Sequence, residues 1–189
     1  MINAEFDKSV STLQKFYKSI QQQHLEHHGV HYTSHHDAIV KCLKDGSVYK
    51  ELGTHQGGTA AAAVLGGATD VTLVDIDHSK INPNLSLFEK YCKSKNINLN
   101  VIEADSRSQK ARGRCDTLLI DSCHTYEHCV QELYLHSKWV NNYIIIHDTA
   151  ANTDLYEAVL DFTSVLENLE WNIIEYSKFN VGYTIIKKS

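Results

Sequence analysis

The run from Ser47 to Leu65, SVYKELGTHQGGTAAAAVL, constrains the fold more than any other part of the chain. A short apolar strand pattern ends at Gly53, and small helix-forming residues begin after Gly57 and Gly58. Glycines at such a turn let the backbone approach a ligand, and the N–H groups at a helix start can bind it. The spacing G-x-x-x-G-G differs from the G-x-G-x-x-G of pyrophosphate-binding turns. A nucleoside-binding or dinucleotide-binding βαβ unit is therefore expected, with a ligand-free tight turn as the alternative.

The composition is that of one soluble domain in a reducing compartment. The chain has 189 residues, of which 42% are hydrophobic and 22% are charged, enough to bury a full core. A net charge of −5 argues against a nucleic-acid-binding surface, and there is no apolar run of membrane-spanning length. The five cysteines lack C-x-x-C spacing and are expected to be free thiols. We expect a cytoplasmic protein that binds neither nucleic acid nor membrane; a homo-oligomer is compatible with the sequence.

Histidines are concentrated near the N-terminus. Residues 3–26 have a helical apolar period, and the polar segment Gln21–His36 contains six of the twelve histidines. A metal cluster is one interpretation of this segment. A solvated loop or lid over a site is favoured, because no carboxylate or cysteine ligands interleave at fixed spacing. The predicted organisation is an N-terminal helix and histidine-rich lid segment over residues 1–34, and a ligand-binding domain over residues 35–189.

Strand and helix patterns alternate five times along the rest of the chain, which predicts a doubly wound α/β sheet. The predicted parallel strands are Val48–Leu52, Asp70–Asp75, Asn98–Glu103, Asp116–Ile120 and Asn142–Ile146. Two further β-rich runs, Trp171–Tyr176 and Gly182–Lys187, have the pattern of a hairpin. The fold class is therefore a Rossmann-like, mostly parallel seven-stranded sheet with a C-terminal antiparallel hairpin.

Ligands of doubly wound sheets bind at the carboxyl ends of the strands, and polar or flexible residues follow each predicted strand there. These residues are Gly53, Asp75, Asp105, Asp121, His124, His147 and Asp148. Asp75 lies where an acidic side chain can accept hydrogen bonds from ribose hydroxyls, and Asp77 either shares this task or caps the next turn. Each of the other carboxylates also has a purely structural interpretation. Asp121 and Asp148 could cap the helices that follow them, and Asp105 could be an ordinary turn residue.

Several motifs together resemble the class I S-adenosylmethionine-dependent methyltransferases. Glu51-Leu-Gly53-Thr-His-Gln-Gly57-Gly58 resembles their first motif, E-x-G-x-x-x-G, and Val74-Asp75-Ile-Asp77 resembles their acidic second motif. Asp116-Thr-Leu-Leu-Ile-Asp121-Ser-Cys-His124-Thr-Tyr126-Glu127 resembles one branch of this family, whose fourth strand ends in I-D-G-x-H-x-Y-E. Ile144-Ile-Ile-His147-Asp148 resembles the fifth-strand ending of the same branch. That branch contains metal-assisted small-molecule and sugar O-methyltransferases and cephalosporin-hydroxylase-like proteins. The resemblance covers about residues 35–188, with Ser122 in place of a glycine and no Pro-Gly-Gly before the fifth strand.

The resemblance implies a cofactor, a metal and a reaction. S-adenosylmethionine would be bound by Glu51, Gly53, Thr54, Gly57, Gly58, Asp75, Asp77, Asp105 and Ser106. A divalent cation, Mg²⁺ or alternatively Mn²⁺, would be held by Asp121, His147 and Asp148. Asp121 and His124 would be catalytic, with His124 as general base. The reaction would be O-methylation of a small hydroxylated acceptor, such as a sugar or vicinal diol.

The sequence is also compatible with three other functions. An NAD(P)-dependent oxidoreductase also uses a glycine turn and a distal acidic residue, and a non-catalytic nucleoside-binding relative would keep the fold alone. His124-Thr-Tyr-Glu127-His128 fits the H-x-x-E-H pattern of inverted zinc peptidases, which needs both histidines on one helix face.

Overall fold

A computed structural model describes residues 12–28 and 34–189 of the chain. Within these ranges the helices are α1 Leu13–His28, α2 Ser34–Cys42, α3 Gly58–Leu65, α4 Asn82–Lys95, α5 Tyr126–His136 and α6 Thr153–Ser164. The strands are β1 Val48–Leu52, β2 Asp70–Asp75, β3 Asn98–Glu103, β4 Cys115–Ile120, β5 Val140–His147, β6 Trp171–Ser177 and β7 Tyr183–Lys188. None of these helices is long and apolar enough to cross a membrane.

The seven strands form one sheet in the order β3-β2-β1-β4-β5-β7-β6. The first five strands are parallel, and β7 pairs antiparallel with both β5 and β6. The predicted doubly wound sheet with a C-terminal hairpin is therefore confirmed. The chain passes from β5 to the outer position of β6 and returns to fill the gap with β7. Strand order reverses beside β1, where sheets of this kind bind their ligands.

Helices pack on both faces of the sheet, and a layer of buried apolar side chains lies between the sheet and the helices on each face. Helices α1 to α4 cover one face, where Phe16, Ile39 and Phe88 join the buried side chains of β1 and β2. Helices α5 and α6 cover the other face through residues such as Leu133 and Phe162. The run Ile144–Ile146 of β5 is fully buried, as expected for a strand covered on both faces.

The small side chains of α3 decide how closely that helix packs. Ala60 to Ala63 are buried, so the helix lies against the sheet at short range. Gly57 precedes the helix in the left-handed conformation, with φ 88°, which favours glycine. A side chain at Gly57 would also contact the ring of Phe88 at 3.0 Å. Glycine is therefore required at position 57 of this turn.

The histidine-rich segment differs from its predicted form. Helix α1 continues through the expected loop to His28, and His35 and His36 are buried in the first turns of α2. A solvated loop is therefore wrong for these residues, because α2 directs both imidazoles into the protein. Residues 1–11 and 29–33 lie outside the described ranges, so the predicted helix start near residue 3 and the remaining part of the lid are not described. The lid role of residues 1–34 stays a prediction.

Candidate active site

The carboxyl ends of β1 and β4 meet at Gly53. Its N–H donates to Val74 O at 2.8 Å, and the N–H of Asp121 donates to Leu52 O at 2.9 Å. A Cβ at Gly53 would lie 2.0 Å from the carbonyl oxygen of Asp121, and the residue has φ +89°. Only glycine fits this position, and its absent side chain lets the strand ends approach each other.

Asp75 fixes the glycine turn in place. Its Oδ2 accepts hydrogen bonds from the backbone N–H groups of Thr54 and His55, each at 2.8 Å. Its Oδ1 accepts from the N–H of Asp77 at 3.2 Å. A carboxylate has about four lone-pair positions, so this side chain retains acceptor capacity. The predicted ribose-binding acid thus also orders the loop that approaches the ligand.

A cavity of about 700 Å³ opens in front of the turn, within the range of small-molecule and cofactor sites. Of the predicted cofactor residues, Gly53, Asp75, Asp105 and Ser106 line it. Ile76 also lines it with 73% of its surface exposed, which provides an apolar wall beside the Asp75 carboxylate. The cavity therefore combines an apolar wall with acidic and hydroxyl groups.

Glu51 and Asp77 do not line either of the two cavities of the site, and their contacts with a cofactor stay predictions. Glu51 is fully buried and accepts a hydrogen bond from Tyr49 Oη at 2.6 Å. Burial raises the pKa of Glu51 to about 8. Asp77 is exposed and accepts from the N–H and the hydroxyl of Ser79, each at 2.8 Å. These two bonds are the turn cap that was one of its two predicted roles, and its share in ribose binding stays a prediction.

Thr54, Gly57 and Gly58 build the turn and do not line the large cavity. Thr54 is buried and donates its N–H to Asp75. Gly57 starts the helix, and a Cβ at Gly58 would lie 3.1 Å from Ile20 of α1. Thr54 and Gly58 line a second, smaller cavity on the side of α1 and α2.

Two carboxylates and an imidazole meet at the ends of β4 and β5. His124 Nε2 lies 3.3 Å from Asp121 Oδ1, and His124 Nδ1 lies 3.2 Å from Asp148 Oδ2. One ligand atom from each of these three residues lies within 4.8 Å of the others, so they could hold a metal ion. We call Asp121, His124 and Asp148 the acid–imidazole triad. Asp148 has φ 60°, an uncommon conformation that Asp tolerates better than most residues.

The two carboxylates are not helix caps. Thr125 caps α5 by accepting from the N–H of His128, and Asn152 caps α6 by accepting from the N–H of Asp154. The capping alternative for Asp121 and Asp148 is therefore wrong, and both side chains face the large cavity.

The charges in the triad are coupled. Burial opposes ionisation of Asp121, but the charge of His147 and hydrogen bonds from His124 and His147 hold its pKa well below the usual range. The hydrogen bond to Asp121 raises the pKa of His124, against partial burial. Burial raises the pKa of Asp148. The arrangement thus favours an ionised Asp121 beside a protonated His124.

His147, the last residue of β5, is buried and contacts both carboxylates of the triad. Its Nδ1 hydrogen-bonds Asp121 Oδ1 at 3.1 Å and lies 3.3 Å from Asp148 Oδ1. Because an ionised carboxylate only accepts, Nδ1 must donate, and its lone pair is then unavailable to a cation between the carboxylates. The structure brings the predicted set Asp121, His147 and Asp148 together, but His147 is a partner of the carboxylates there.

No family model and no curated protein matches the chain. Solved structures match it over almost its full length. An O-methyltransferase from Bacillus cereus, in complex with S-adenosylhomocysteine, has a TM-score of 0.67 at 13% identity, covering 99% of this chain and 94% of that one. A Podospora anserina methyltransferase with bound S-adenosylhomocysteine has a TM-score of 0.67 at 11% identity, covering 94% and 87%. Magnesium protoporphyrin IX methyltransferase from Synechocystis, with bound S-adenosylmethionine, has a TM-score of 0.62 at 13% identity, covering 97% and 86%.

The chain has the fold of the class I S-adenosylmethionine-dependent methyltransferases. Its seven-stranded sheet, with β7 antiparallel, is the common element of these matches.

A buried polar network behind the cavity of this methyltransferase fold was not predicted from the sequence. Glu132 of α5 is fully buried and accepts from the hydroxyl of Ser122 at 2.5 Å. His128 Nε2 lies 3.3 Å from the same Glu132 oxygen and 3.0 Å from Ser106 Oγ. The i, i+4 spacing of His128 and Glu132 is a signal that could have indicated it. The network explains why a serine is accommodated where the resembling branch has glycine.

Arg107 pairs with Asp105, and this pairing was also not predicted from the sequence. Its guanidinium makes two hydrogen bonds to Asp105, from Nε at 3.0 Å and from Nη2 at 2.8 Å. These bonds hold the pKa of the Asp105 carboxyl well below its usual range. Asp105 therefore enters the cavity wall already paired with a cation. Only one residue separates Asp105 from Arg107 in the sequence, and this spacing does not indicate that the two side chains pair.

The zinc-peptidase alternative does not fit the methyltransferase fold. Helix α5 begins at Tyr126, so His124 precedes the helix and does not share a face with His128. The His124 ring contacts Asp121 and Asp148, whereas His128 contacts Ser106 and Glu132. The two imidazoles therefore belong to different parts of the cavity wall.

Proposed function

We propose that the protein is an S-adenosylmethionine-dependent methyltransferase that methylates a hydroxyl oxygen of a small acceptor, such as a sugar or vicinal diol, with the help of a divalent cation. The observation that carries the proposal is one cavity wall that contains both the glycine turn held by Asp75 and the acid–imidazole triad. A cofactor and a nucleophilic oxygen could therefore meet in the same space.

The residues present fit the cofactor. Gly53 leaves space that a Cβ would fill, and Asp75 keeps acceptor capacity for ribose hydroxyls. Ile76 presents an apolar surface suited to a purine, and Ser106 with His128 presents polar atoms near the same wall. When bound, S-adenosylmethionine supplies an electrophilic methyl group on a sulfonium.

The residues also fit a cation. Asp121 and Asp148 provide carboxylate oxygens, and Asp148 Oδ1 accepts no hydrogen bond from any described residue. Mg²⁺ is commonly bound through one or two carboxylates with its other positions open to water or substrate, and Mn²⁺ tolerates an adjacent imidazole. A cation at this place would lower the pKa of the acceptor hydroxyl and orient it.

The chain's own residues then have distinct roles. Asp121 and Asp148 would hold the cation, and His147 keeps Asp121 in position through its Nδ1–H. His124 is the general base: once its proton has left, an imidazole that lines the cavity can take the hydroxyl proton of the acceptor. The walls align the acceptor oxygen with the methyl group, which methyl transfer requires because it is an in-line displacement.

The test is transfer of labelled methyl from S-adenosylmethionine to a panel of catechols, sugars and polyols, with Mg²⁺, Mn²⁺ or a chelator. We expect a cation-dependent product that Asp148→Asn abolishes. His124→Gln should lower kcat by about 100-fold or more while cation binding persists. Loss of cation binding in His124→Gln would make His124 a ligand and contradict its role as base. A protein that binds the cofactor but methylates no hydroxyl with any cation would contradict the proposed reaction.

A further inference from the structure

Helix α5 carries three polar residues, His128, Glu132 and His136, on one side. They are four residues apart along the helix, and this spacing places them one above the other on the same face. Glu132 and His136 are buried, and the His128 side chain is 15% exposed. Buried polar side chains are rarely without partners, so their contacts indicate what they do. We call these three residues the polar stripe of α5.

The polar stripe holds Ser106, the third residue after β3, at two points. His136 Nε2 lies 2.8 Å from the carbonyl oxygen of Ser106, and because a carbonyl only accepts, His136 donates this bond. His128 Nε2 lies 3.0 Å from Ser106 Oγ. The backbone and the side chain of Ser106 are therefore both attached to α5.

The hydrogen bond between His128 and Ser106 has a direction that Glu132 sets. Glu132 Oε1 accepts from the hydroxyl of Ser122 and lies 3.3 Å from His128 Nε2. A lone pair on Nε2 would face a lone pair of this oxygen, so Nε2 carries a hydrogen, in the neutral ring as in the protonated one. Ser106 Oγ therefore accepts from His128.

The Ser106 hydroxyl is then left with its own hydrogen to donate. Ser106 lines the large cavity, and its Oγ has no other hydrogen-bond partner among the described residues. The neighbouring Asp105 carboxylate already accepts from the backbone N–H, Nε and Nη2 of Arg107. At this end of the cavity the fold thus presents a hydroxyl donor of fixed direction.

The order of the strands indicates which part of the cofactor lies there. Along the carboxyl edge of the sheet, β3, β2, β1 and β4 follow one another. They bring Ser106, Asp75, Gly53 and Asp121 to the cavity wall in that order. With the ribose at Asp75 and the methyl group toward Asp121, the purine extends toward Ser106. Purine ring nitrogens that carry a lone pair accept hydrogen bonds and match a hydroxyl donor.

We propose that His128 and Glu132 are positioning residues, which fix the Ser106 hydroxyl as a hydrogen-bond donor to one ring nitrogen of the cofactor's purine. His128 determines the direction of the hydroxyl, and Glu132 keeps the hydrogen of His128 on Nε2. The inference rests on the proposed function, since it requires an adenosyl cofactor. It adds two residues of α5 that act on cofactor recognition through Ser106.

The direction of the bond can be tested without any ligand. Heteronuclear NMR of the imidazole nitrogens distinguishes the two neutral tautomers and the protonated ring, and His128→Leu identifies the signals of His128. We expect a hydrogen on Nε2 in the wild type. Glu132→Gln should raise the population of the other tautomer, because the carboxylate is removed while an acceptor for Ser122 remains.

Binding of S-adenosylhomocysteine tests the consequence. Ser106→Ala should weaken binding by about 3-fold to 10-fold, the effect of one neutral hydrogen bond. Glu132→Gln should weaken it to a similar extent, and Ser106→Ala should then add little in the Glu132→Gln background. Ser108→Ala is the matched control, since Ser108 lies in the same loop but does not line the cavity. It should bind as the wild type does.

Three analogues of S-adenosylhomocysteine, each with a CH group in place of one ring nitrogen that carries a lone pair, identify the acceptor. One analogue should bind the wild type about 3-fold to 10-fold more weakly than the parent compound and should bind Ser106→Ala as the parent does. A merely structural role of His128 and Glu132 would lower thermal stability in their variants without changing this discrimination. If Glu132→Gln fails to fold, the tautomer of the wild type and the analogues decide.

A wild-type His128 with its only hydrogen on Nδ1 would overturn the inference, because Ser106 would then donate to His128. Binding that Ser106→Ala leaves unchanged, or losses that are additive for all three analogues, would overturn it as well. These outcomes leave the proposed methyl transfer intact. A folded wild type that does not bind S-adenosylhomocysteine would instead overturn the proposed function, and this inference with it.

Discussion

The imidazole of His124 and the carboxylate of Asp148 come from different strand ends and lie 3.2 Å apart. The other ring nitrogen of His124 contacts Asp121 at 3.3 Å. A protonated His124 therefore bridges two acidic groups that would otherwise repel each other. In the proposed enzyme a cation takes over this neutralising role, so proton and cation compete for the same place.

This competition predicts a pH dependence of cation binding. Because the pKa of His124 is raised, its proton persists above the ordinary value of about 6.5. The affinity for Mg²⁺ should therefore increase from about pH 6 to about pH 8, as that proton leaves. For the cation-free protein the sign is opposite: the favourable charge pairing is complete below the unfolded pKa and is lost as the pH rises through the raised pKa.

Calorimetric titration with Mg²⁺ at several pH values measures the effect. His124→Gln should bind Mg²⁺ with a weaker dependence on pH than the wild type. An affinity that decreases with rising pH, or an identical slope in the variant, would contradict the competition.

Gly53 and Gly67 form a matched pair for testing the close contact of β1 with β4. Both have positive φ, 89° and 113°, but a Cβ at Gly53 would meet the Asp121 carbonyl at 2.0 Å, whereas no described atom lies within 4 Å of one at Gly67. Gly67→Ala should cost about 1–2 kcal/mol from backbone strain alone. Gly53→Ala should cost about 3 kcal/mol more, because a strand end must also move. Urea unfolding measures both, and equal losses would mean that the contact is not tight.

Much of this architecture follows from local pattern. The bounds of β1, β2 and β3 agree with the sequence prediction at every residue, because turn residues flank short buried runs. The rim of polar residues could likewise be predicted, since parallel strands bring successive carboxyl ends to one edge. Asp75, Asp121 and Asp148 were identified in this way from one strand ending each.

The partners of each side chain could not be predicted, because they depend on tertiary packing. Nothing in the sequence distinguishes Asp75, which lines the cavity, from Asp77, which caps a turn two residues later. The burial of His35 and His36 depends on how α2 lies against β5. The polar sequence around His35 and His36 therefore predicted solvent-exposed side chains, whereas the fold buries them.

Glu51 should make the stability depend on pH. Its pKa is raised to about 8 by burial, compared with about 4.3 in an unfolded chain. Between these values the folded protein keeps a proton that the unfolded chain releases, so the free energy of unfolding should fall with rising pH, by at most about 1.4 kcal/mol per pH unit.

Glu51→Gln keeps an acceptor for Tyr49 Oη without a group that ionises. Urea unfolding of both proteins between about pH 5 and about pH 8 should show a smaller slope in the variant and a higher relative stability at the alkaline end. Parallel pH profiles would show that Glu51 is ionised in the folded protein.

Glu132 should support the cavity through Ser122 and His128. Glu132→Ala leaves the half-buried Ser122 hydroxyl without its acceptor and should cost about 1–3 kcal/mol of stability. Glu132→Gln keeps a carbonyl oxygen for that bond and should cost less. Thermal unfolding compares the two variants, and a Gln variant as unstable as the Ala variant would show that the negative charge is required.

The most direct test of the account is isothermal titration of the protein with S-adenosylhomocysteine, with NAD⁺ as control ligand. We expect micromolar binding of S-adenosylhomocysteine and none of NAD⁺. Asp75→Asn should weaken binding by about 10-fold to 100-fold, through loss of a charged acceptor that also holds the glycine turn. Asp77→Asn is the control and should bind as the wild type does, because Asp77 contacts Ser79 outside the cavity. A folded wild type that binds neither nucleoside would contradict the methyltransferase assignment.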